Sequence, residues 1–493
     1  MVDSGSPKSE SGNDLWHSRD IEKLCSSRSS RDVWQATQVI MTARKQVNGI
    51  YFAKGNPEHD AKYIVDNDSR SIICESKSYQ YLKSKTEKPV YLVENLFDTA
   101  RAFADYARAR FQGKVIGITG SVGKTTIKDG LVSVLSAISQ VHASKGNQNA
   151  DWGLLETISN TPANADYAVY ELGMLGRKSI GLKSRRVKPH VAVITNVFDA
   201  HRSFHTSDES IAETKAEILE GVSEGGIAVL PADSPWYKLL RAKVKTNESL
   251  EVLTFGESEN SDIRLMSFDC SSSGTELVVS IFGDENRFVT SLLGRQAAMN
   301  CTILISIMYA LGLDPSATKD VLKRLRPSRH RGEIFPTTCA EGAFTVIDDT
   351  WNASPASVVA AMKNMEFIKS TEGGRRILFL GDMLQLGKNE RQKHVELVDA
   401  ITANGIDKVF TVGELSKSLF QALPVALRGE HFSDDLTAAE KAKGFVASGD
   451  VVLVKGSHAM EMWRVVRALR EKSVPQDMAG TPLPTERCEG KAI

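Results

Sequence analysis

A short apolar run that leads into a glycine-rich loop and then a helical pattern constrains this chain more than any other feature. The run spans residues 113–119, the loop carries Gly120 and Gly123, and the helical pattern begins at Lys124. In that order, strand, loop and helix predict a parallel α/β sheet whose first loop turns backbone N–H groups towards phosphate oxygens. We therefore expect the loop to bind the phosphates of ATP. The predicted contacts are Thr119, Gly120, Ser121, Gly123, Lys124, Thr125 and Thr126.

The loop departs from the usual phosphate-loop string, G-x-x-x-x-G-K-[ST], because Ile118 stands where that string has glycine. The physical requirement is still met, since the glycines at 117, 120 and 123 let the backbone approach phosphate oxygens. Lys124 can reach the outer phosphates, and the Thr125 hydroxyl can ligate Mg²⁺. A glycine turn that binds nothing is the plainer interpretation, and the order of strand, loop, Gly-Lys-Thr-Thr and helix disfavours it. The loop alone does not separate a ligase from a kinase or a motor ATPase.

Length and composition set the size of the molecule and exclude some partners. A chain of 493 residues should form about three domains. Lys+Arg and Asp+Glu both number 61, so nothing predicts a basic surface for nucleic acid. The sequence lacks an apolar run of about 18 residues that could span a membrane, and its polar beginning lacks a secretory signal. We expect a cytoplasmic protein whose six scattered cysteines are free thiols.

The order of apolar runs and helical patterns predicts an α/β protein of three domains between two flexible ends. The first domain is small and mixed, and the central domain is a P-loop ATPase-like parallel sheet with antiparallel hairpins near 262–291. The third domain repeats the strand–helix alternation and is Rossmann-like. The predicted boundaries are 1–20 for a disordered tail, 21–106, 107–326 and 327–473 for the domains, and 474–493 for a flexible tail.

Two polar residues follow predicted parallel strands, at the edge where open α/β sheets gather ligands. Glu171 ends one apolar run, and His201 comes shortly after another. With Thr125 they could hold divalent ions at the ATP phosphates. Magnesium prefers oxygen ligands, so His201 argues for a second, more tolerant ion site. The plainer alternatives are a solvated strand end for Glu171, a surface histidine for His201, and a solvated ion-pair partner of nearby glutamates for Lys215.

Several motifs in a fixed order resemble the Mur ligase superfamily, from about residue 40 to residue 470. The segments that carry the resemblance are 119–126, 170–174, 195–201, 212–218, 347–355, 380–387 with His394, and 454–457. Residues 347–355 are similar to D-D-[ST]-Y-N-A-N-P, residues 380–387 to G-D-M-L-E-L-G, and residues 454–457 to V-K-G-S. The resemblance is closest to the branch that adds D-alanyl-D-alanine to UDP-N-acetylmuramoyl-tripeptide in peptidoglycan synthesis.

This resemblance implies a reaction and its reactants. Such ligases transfer the γ-phosphate of ATP to a substrate carboxylate, and an amine then attacks the acyl phosphate to give an amide, ADP and phosphate. The implied cofactors are ATP and Mg²⁺. The implied substrates are a small-molecule acid, UDP-linked in this branch and bound by the first domain, and an amine such as an amino acid or dipeptide. We expect a monomer that acts without nucleic acid or membrane.

The resemblance also implies roles for individual residues. It identifies Lys215 with a lysine that CO₂ carbamylates, which turns a cation into a carboxylate able to orient a metal ion. It places a nucleotide-base contact at Asn300, a phosphate contact at Arg331 and a ribose contact at Asp349, so the third domain must close over ATP. The implied catalytic residues are Lys124, Glu171, His201 and Lys215, and the implied metal site is Thr125, Glu171, His201 and Lys215.

The departures from the family pattern cluster in the half of the chain that would bind the acid. The segments that differ are 41–45 for D-S-R, 54–61 for G-E-x-x-D-G-H-D-F, 146–155 for G-N-x-N-N-x-x-G-x-P, 175–180 for N-x-x-G-E-I, and 455–458 for K-G-S-R. Three hypotheses follow: a ligase with a non-standard acid, the cell-wall ligase in diverged form, and a nucleotide-binding regulatory protein without turnover. The last is disfavoured because every expected metal and phosphate contact is present.

Overall fold

The computed structural model describes residues 15–25, 33–42, 47–65, 68–146, 148–174, 176–197, 208–244, 249–368, 370, 373–387 and 389–470. The chain divides into two compact units, Met1–Arg326 and Pro327–Ile493. This division does not separate residues 21–106 from residues 107–326, so the boundary between the first two domains stays a prediction. The expected α/β class with parallel sheets is confirmed.

The first part of unit one is a small parallel sheet with the strand order β3-β4-β5-β6. The second half of β4 is apolar because both faces of the sheet are covered there: Ile50 and Phe52 pack on one side, and Tyr51 and Ala53 on the other. The elements are β1 (Trp16–His17), α1 (Ser18–Leu24), β2 (Gln35–Ala36), β3 (Gln38–Ile40), β4 (Val47–Ala53), α2 (Pro57–Val65), β5 (Asp68–Cys74), α3 (Ser76–Lys83), β6 (Val90–Leu92) and α4 (Leu96–Arg110).

The prediction that residues 1–20 are disordered is wrong for the part that the structure describes. Trp16 lies in β1 and is fully buried, its Nε1 donates to the carbonyl of Ser159 at 3.1 Å, and its ring packs against Phe103. Burial of so large an aromatic ring offsets the ordering of a polar segment. Residues 1–14 and the predicted tail at 474–493 lie outside the described residues.

The central sheet of unit one has the order β15-β14-β13-β12-β11-β10-β7-β9-β8 within the part of the chain that the structure describes. Val115 packs into one core cluster and Ile116 into another, so helices cover both faces. The elements are β7 (Lys114–Thr119), α5 (Lys124–Leu135), β8 (Val141–Ala143), α6 (Asp151–Ser159), β9 (Tyr167–Glu171), α7 (Ser179–Val187), β10 (Val191–Ile194), α8 (Asp208–Ala216), β11 (Ile227–Pro231), α9 (Tyr237–Val244), β12 (Glu251–Gly256), β13 (Ile263–Ser271), β14 (Gly274–Ile281), β15 (Asp284–Thr290), α10 (Arg295–Ala310) and α11 (Lys319–Leu322).

The strand order reverses at β7, which places the phosphate loop at a topological switch point. β7 pairs with β10 on one side and β9 on the other, both in parallel, with Thr119 opposite Ile194 and Ile118 opposite Glu171. In open α/β sheets, ligands bind in the crevice that such a switch opens at the carboxyl ends of the strands. The antiparallel hairpins expected near 262–291 are confirmed as β13, β14 and β15.

Unit two has a second sheet, in the order β16-β17-β21-β18-β19-β20, in which β16 is antiparallel and the other pairings are parallel. The sequence patterns did not predict β16 and β20, because most of their residues are half-exposed or exposed and form no continuous apolar run. The elements are β16 (Glu333–Cys339), β17 (Gly342–Asp349), α12 (Pro355–Asn364), β18 (Arg376–Gly381), α13 (Glu390–Val395), α14 (Leu397–Ala403), β19 (Lys408–Val412), α15 (Ser416–Ala422), β20 (Arg428–Phe432), α16 (Asp435–Lys441), β21 (Val451–Lys455) and α17 (Trp463–Arg470). None of the described helices is long and apolar enough to cross a membrane.

Candidate functional site

The loop between β7 and α5 has the backbone that glycine permits. Gly123 has φ +87°, and Gly120 has φ +152°. A Cβ added to Gly120 would lie 2.0 Å from Thr195 Oγ1, so a side chain there would collide with the neighbouring strand end. The tight packing brings the loop against the end of β10 and directs the N-terminus of α5 into the crevice.

Asn196, just after β10, fixes the shape of this loop. Its Oδ1 accepts hydrogen bonds from the backbone N–H groups of Ser121 at 3.1 Å and Val122 at 2.9 Å. Its Nδ2 donates to the Val122 carbonyl at 2.9 Å, and Thr195 Oγ1 donates to the same carbonyl at 2.7 Å. Asn196 lies in the 195–201 motif, but nothing in the sequence predicts its role, since a contact between two loops leaves no periodic signal.

Lys124 folds back over the loop that precedes it. Its Nζ donates to the carbonyl of Gly120 at 2.8 Å and to that of Ser121 at 3.4 Å. Both carbonyls are neutral acceptors, and a phosphate oxygen would be a stronger partner for the ammonium group. The geometry therefore leaves Lys124 ready to exchange these bonds for an anion.

Asn300, which the resemblance implies as a nucleotide-base contact, lies beside this loop. It is on α10, 8% exposed, and a Cβ added to Gly123 would lie 3.5 Å from its Oδ1. The same Oδ1 accepts a hydrogen bond from Gln296 Nε2 at 3.0 Å, which orients the amide. The structure thus brings together the phosphate loop and Asn300, which are distant in sequence.

Glu171 is the buried carboxylate of the site. It is 1% exposed at the end of β9, where Oε2 accepts from Thr125 Oγ1 at 2.8 Å and Oε1 accepts from Asn149 Nδ2 at 2.8 Å. Thr125 and Glu171, predicted as metal ligands, are therefore adjacent. Asn149 was not predicted as a site residue, although it belongs to the G-N-x-N-N counterpart. Lys183 holds the segment of Asn149 in place, because its Nζ donates to the carbonyls of Asn149 and Gly173.

The described part of the chain does not contain every residue that was predicted to bind a metal ion. His201 lies outside the described residues, and no three His, Cys, Asp or Glu side chains among the described residues cluster in a way that could hold a metal. Magnesium usually binds one or two carboxylates and takes its other ligands from phosphates and water. Thr125 and Glu171 fit that donor set.

Lys215 is buried near the end of α8, 1% exposed. Burial, with the nearby charge of Lys124 adding to it, lowers the pKa of Lys215 well below its ordinary value of 10.5. The interpretation of Lys215 as a solvated ion-pair partner is therefore wrong. A lysine in this state carries a neutral, nucleophilic amine far more often than a surface lysine does.

A row of glutamates fixes the segment that carries Lys215. Glu217 accepts from the backbone N–H groups of Lys178 at 2.6 Å and Gly181 at 3.1 Å, at the start of α7. Glu213 and Glu220, about one turn away on either side, pair with arginines of the same neighbouring segment. Lys178 has φ +64° where the family's N-x-x-G-E-I pattern has glycine, so this departure carries backbone strain.

Glu156 of α6 accepts hydrogen bonds from residues 41–42, in the segment where the family has D-S-R. Its Oε2 accepts from Met41 N at 2.8 Å, Thr42 N at 2.6 Å and Thr42 Oγ1 at 2.7 Å. Its Oε1 accepts from Gln148 Nε2 at 2.9 Å. Just after the end of α6, Asn160 exchanges two hydrogen bonds with the backbone of Val39 in β3. Helix α6 therefore anchors β3, and sequence reasoning did not find this contact.

In unit two, Asp349 lies at the end of β17 beside Lys455, at the end of β21. Lys455 is 2% exposed, and its Nζ donates to Asp349 Oδ2 at 2.5 Å and to the Asn352 carbonyl at 2.8 Å. Arg331 lies with its guanidinium carbon 5.0 Å from the centre of the Trp351 ring. The expected nucleotide contacts of this unit, Arg331 and Asp349, are thus each oriented by a neighbour.

Two family models match the chain. The Mur ligase middle domain matches residues 118–308, which contain the phosphate loop, Glu171, Lys215 and Asn300. The Mur ligase, glutamate ligase domain matches residues 330–458, which contain Arg331 and Asp349. The matches include the segments on which the resemblance was based.

Relatives and solved structures agree with these matches. The UDP-N-acetylmuramoyl-tripeptide–D-alanyl-D-alanine ligase of Bacillus subtilis is 34% identical over 381 residues, covering 76% of this chain and 80% of that protein. The ligase of the same name from Rickettsia prowazekii is 29% identical over 458 residues, covering 92% and 99%. MurF from Acinetobacter baumannii has a TM-score of 0.78 at 21% identity, covering 93% of this chain and 99% of that chain. The MurF ligase of Thermotoga maritima in complex with ADP has a TM-score of 0.72 at 24% identity, covering 88% and 97%.

Proposed function

The chain belongs to the Mur ligase family, and we propose that it joins D-alanyl-D-alanine to UDP-N-acetylmuramoyl-tripeptide. It is an ATP-dependent, ADP-forming ligase, as the sequence predicted. The observation that best supports this chemistry is the hydrogen bond between Thr125 and Glu171, beside the glycine loop and its Lys124. The names of the relatives, which cover most of both chains, support the choice of substrates.

Two steps make the amide bond. A carboxylate oxygen of the acid attacks the γ-phosphorus of ATP, the bond to the β,γ-bridging oxygen breaks, and ADP leaves. The amine nitrogen then attacks the acyl carbon, a proton leaves the nitrogen, and inorganic phosphate departs with the C–O bond electrons. Phosphorylation is needed because a carboxylate is a poor electrophile at neutral pH.

The chain supplies binding, orientation and charge for both steps. The backbone N–H groups of the loop and the N-terminus of α5 bind the phosphates, and Lys124 exchanges its loop carbonyls for a phosphate oxygen. Thr125 and Glu171 would hold Mg²⁺, which would neutralise charge on the transferring phosphoryl group, and His201 is proposed to hold a second divalent ion. Arg331, Asp349 and Asn300 are proposed as contacts to the phosphate, the ribose and the base.

Lys215 is proposed to act as a carbamate. The neutral amine attacks CO₂, a C–N bond forms, and one proton leaves the nitrogen, which gives an anionic carboxylate on the lysine. Burial and a lowered pKa supply the neutral amine that this reaction needs. The same burial is costly for an ammonium ion, so the site favours the modified form with a cation bound to it.

A second candidate is a ligase of the same mechanism that takes a different acid. It is favoured by the Glu156–Thr42 contact, since the segment that grips the uridine nucleotide in the family here lacks the D-S-R string and is anchored by a carboxylate of α6. This candidate stays a prediction.

One assay separates the candidates. The full chain is given ATP and Mg²⁺ with UDP-N-acetylmuramoyl-tripeptide and D-alanyl-D-alanine, and in parallel with panels of other acids and amines. Amide products are identified by mass and phosphate release is measured. The proposal expects the amide from the first pair. Product from another acid alone would replace it with the second candidate, and no phosphate release with any pair would favour a nucleotide-binding regulator.

A further inference from the structure

Two residues that depart from the family pattern in unit two are in contact with each other. Trp351 stands where the D-D-[ST]-Y-N-A-N-P pattern has tyrosine, and His458 stands where K-G-S-R has arginine. Their rings are in contact, with centroids 4.5 Å apart and ring planes tilted by 36°. They are about one hundred residues apart in sequence, so two independent departures meet at one place.

The Trp351 ring also contacts Arg331. The guanidinium carbon lies 5.0 Å from the centroid of the ring, within the range of a cation–π contact. Backbone hydrogen bonds fix the relative positions, because Trp351 N donates to the His330 carbonyl at 2.9 Å and Gly332 N donates to the Asp348 carbonyl at 2.8 Å. The indole of Trp351 therefore contacts both the guanidinium group of Arg331 and the imidazole of His458.

The charges around His458 favour its neutral form. Burial lowers the pKa of His458 from its ordinary 6.5, the nearby His330 and Arg331 lower it further, and Glu461 opposes them. His330 in turn is bonded through Nδ1 to Asp348 Oδ2 at 2.8 Å. A proton on His458 would place a second cation on the ring that Arg331 uses, with like charges beside it.

We propose that Trp351 and His458 are a matched pair that positions Arg331, so that nucleotide affinity falls when His458 becomes protonated. The inference rests on the proposed role of Arg331 as a phosphate contact. Trp351 and His458 are positioning residues here, since they act through Arg331. The neutral imidazole packs on the indole and leaves its cation contact to Arg331.

The first test is ADP binding by calorimetry on the full chain, which needs neither the acid nor the amine. Trp351→Ala should weaken ADP binding about two- to five-fold, the size expected for loss of an exposed cation–π contact. His458→Gln removes the titrating ring and keeps a polar side chain beside the indole, so it should weaken ADP binding at pH 7.5 less than Trp351→Ala does. Unchanged affinity in Trp351→Ala would overturn the pair, and a wild-type chain that binds no ADP would overturn the proposed function as well.

The second test is the pH profile of the same affinity. Because the pKa of His458 is lowered, the neutral form dominates at pH 7.5, and protonation needs a lower pH than an ordinary histidine requires. Wild-type affinity should fall as pH drops from 7.5 to 5.5, and His458→Gln should flatten that fall. His431, another histidine of this unit with a lowered pKa, is bonded to Thr411 and serves as the control. His431→Gln should keep the wild-type slope, and an equal slope in all three proteins would contradict the proposal.

A third measurement asks whether the two departures are matched. Trp351→Tyr and His458→Arg each restore one family residue, and each alone should weaken ADP binding because it leaves a mismatched neighbour. The double variant restores both and should recover wild-type affinity within about two-fold, with a coupling free energy that a double-mutant cycle measures. Additive losses in the double variant would show that the two residues act independently. Protonation of His458 should also change the fluorescence of wild type between pH 7.5 and 5.5, a change that Trp351→Phe removes.

Discussion

Glu171 and Glu156 are two buried carboxylates of the central domain that differ in the donors they accept from. Glu171 accepts from a hydroxyl and a side-chain amide, those of Thr125 and Asn149. Glu156 directs one oxygen to two backbone N–H groups and a hydroxyl of the first domain, and the other oxygen to Gln148. Backbone donors cannot move away without moving the chain, whereas side-chain donors can rotate. Burial and charge are therefore poor guides to a metal site, and the kind of donor is a better one.

The largest effect on activity should come from changes to Glu171 and Lys124, the residues predicted to act on ATP. Glu171→Gln keeps the size and the hydrogen-bonding ability of the side chain but removes the charge that a metal ion needs, so kcat should fall about 10²- to 10³-fold. Lys124→Ala should lower kcat by a similar factor, because Lys124 is the one cation of residues 119–126. Steady-state phosphate release at saturating substrates measures both. Activity within ten-fold of wild type in Glu171→Gln would remove Glu171 from the metal site.

Lys215→Ala should also lose most activity, about 10²-fold, because the proposed carbamate orients the metal ion. An added short carboxylic acid should restore part of it by occupying the vacated space with a carboxylate. Lys215→Arg is the matched control, since it keeps a cation but cannot form the carbamate, and it should stay inactive. A ¹³C carbamate resonance after exposure to ¹³CO₂ should be present in wild type and absent in both variants. Full activity in Lys215→Ala would make the carbamate role wrong.

Much of the ATP side could be predicted from the sequence, and the reason is local. The phosphate loop with its lysine comes after β7, and Glu171 ends β9, so strand patterns alone place them at one sheet edge. Lys215 was identified through the resemblance, since its own segment is typical of a solvated helix face. What the sequence did not predict are contacts between distant elements: Asn149 with Glu171, Asn196 with the loop, and Glu156 with Thr42. No periodicity or spacing links such pairs, and the burial of Trp16 was missed for the same reason.

On the acid side, Glu156→Gln should raise the KM for the acid about ten-fold and leave kcat and the KM for ATP within two-fold. The amide presents one acceptor oxygen where the carboxylate presented two, so donors of the 41–42 segment or Gln148 lose a partner. Amide hydrogen exchange at Met41 and Thr42 should speed up, and this readout does not depend on knowing the acid. Glu171→Gln is the opposite control, with a fall in kcat and unchanged exchange at 41–42. A loss of kcat in Glu156→Gln without a change in exchange would place Glu156 in the ATP half.

The smallest and sharpest test uses two neighbours in sequence, Gln148 and Asn149, because each supports one of the two carboxylates. Asn149→Ala removes a hydrogen bond to the carboxylate of Glu171, the proposed metal ligand, so kcat/KM for MgATP should fall about ten-fold. Gln148→Ala should instead raise the KM for the acid a few-fold, since Glu156 keeps its backbone donors from Met41 and Thr42. A shared loop distortion would give both variants the same profile, and that result would contradict the separation of the two halves. Distinct profiles from adjacent alanines would instead show that segment 148–149 is where the acid-binding and ATP-binding halves meet, and that each carboxylate can be changed without the other.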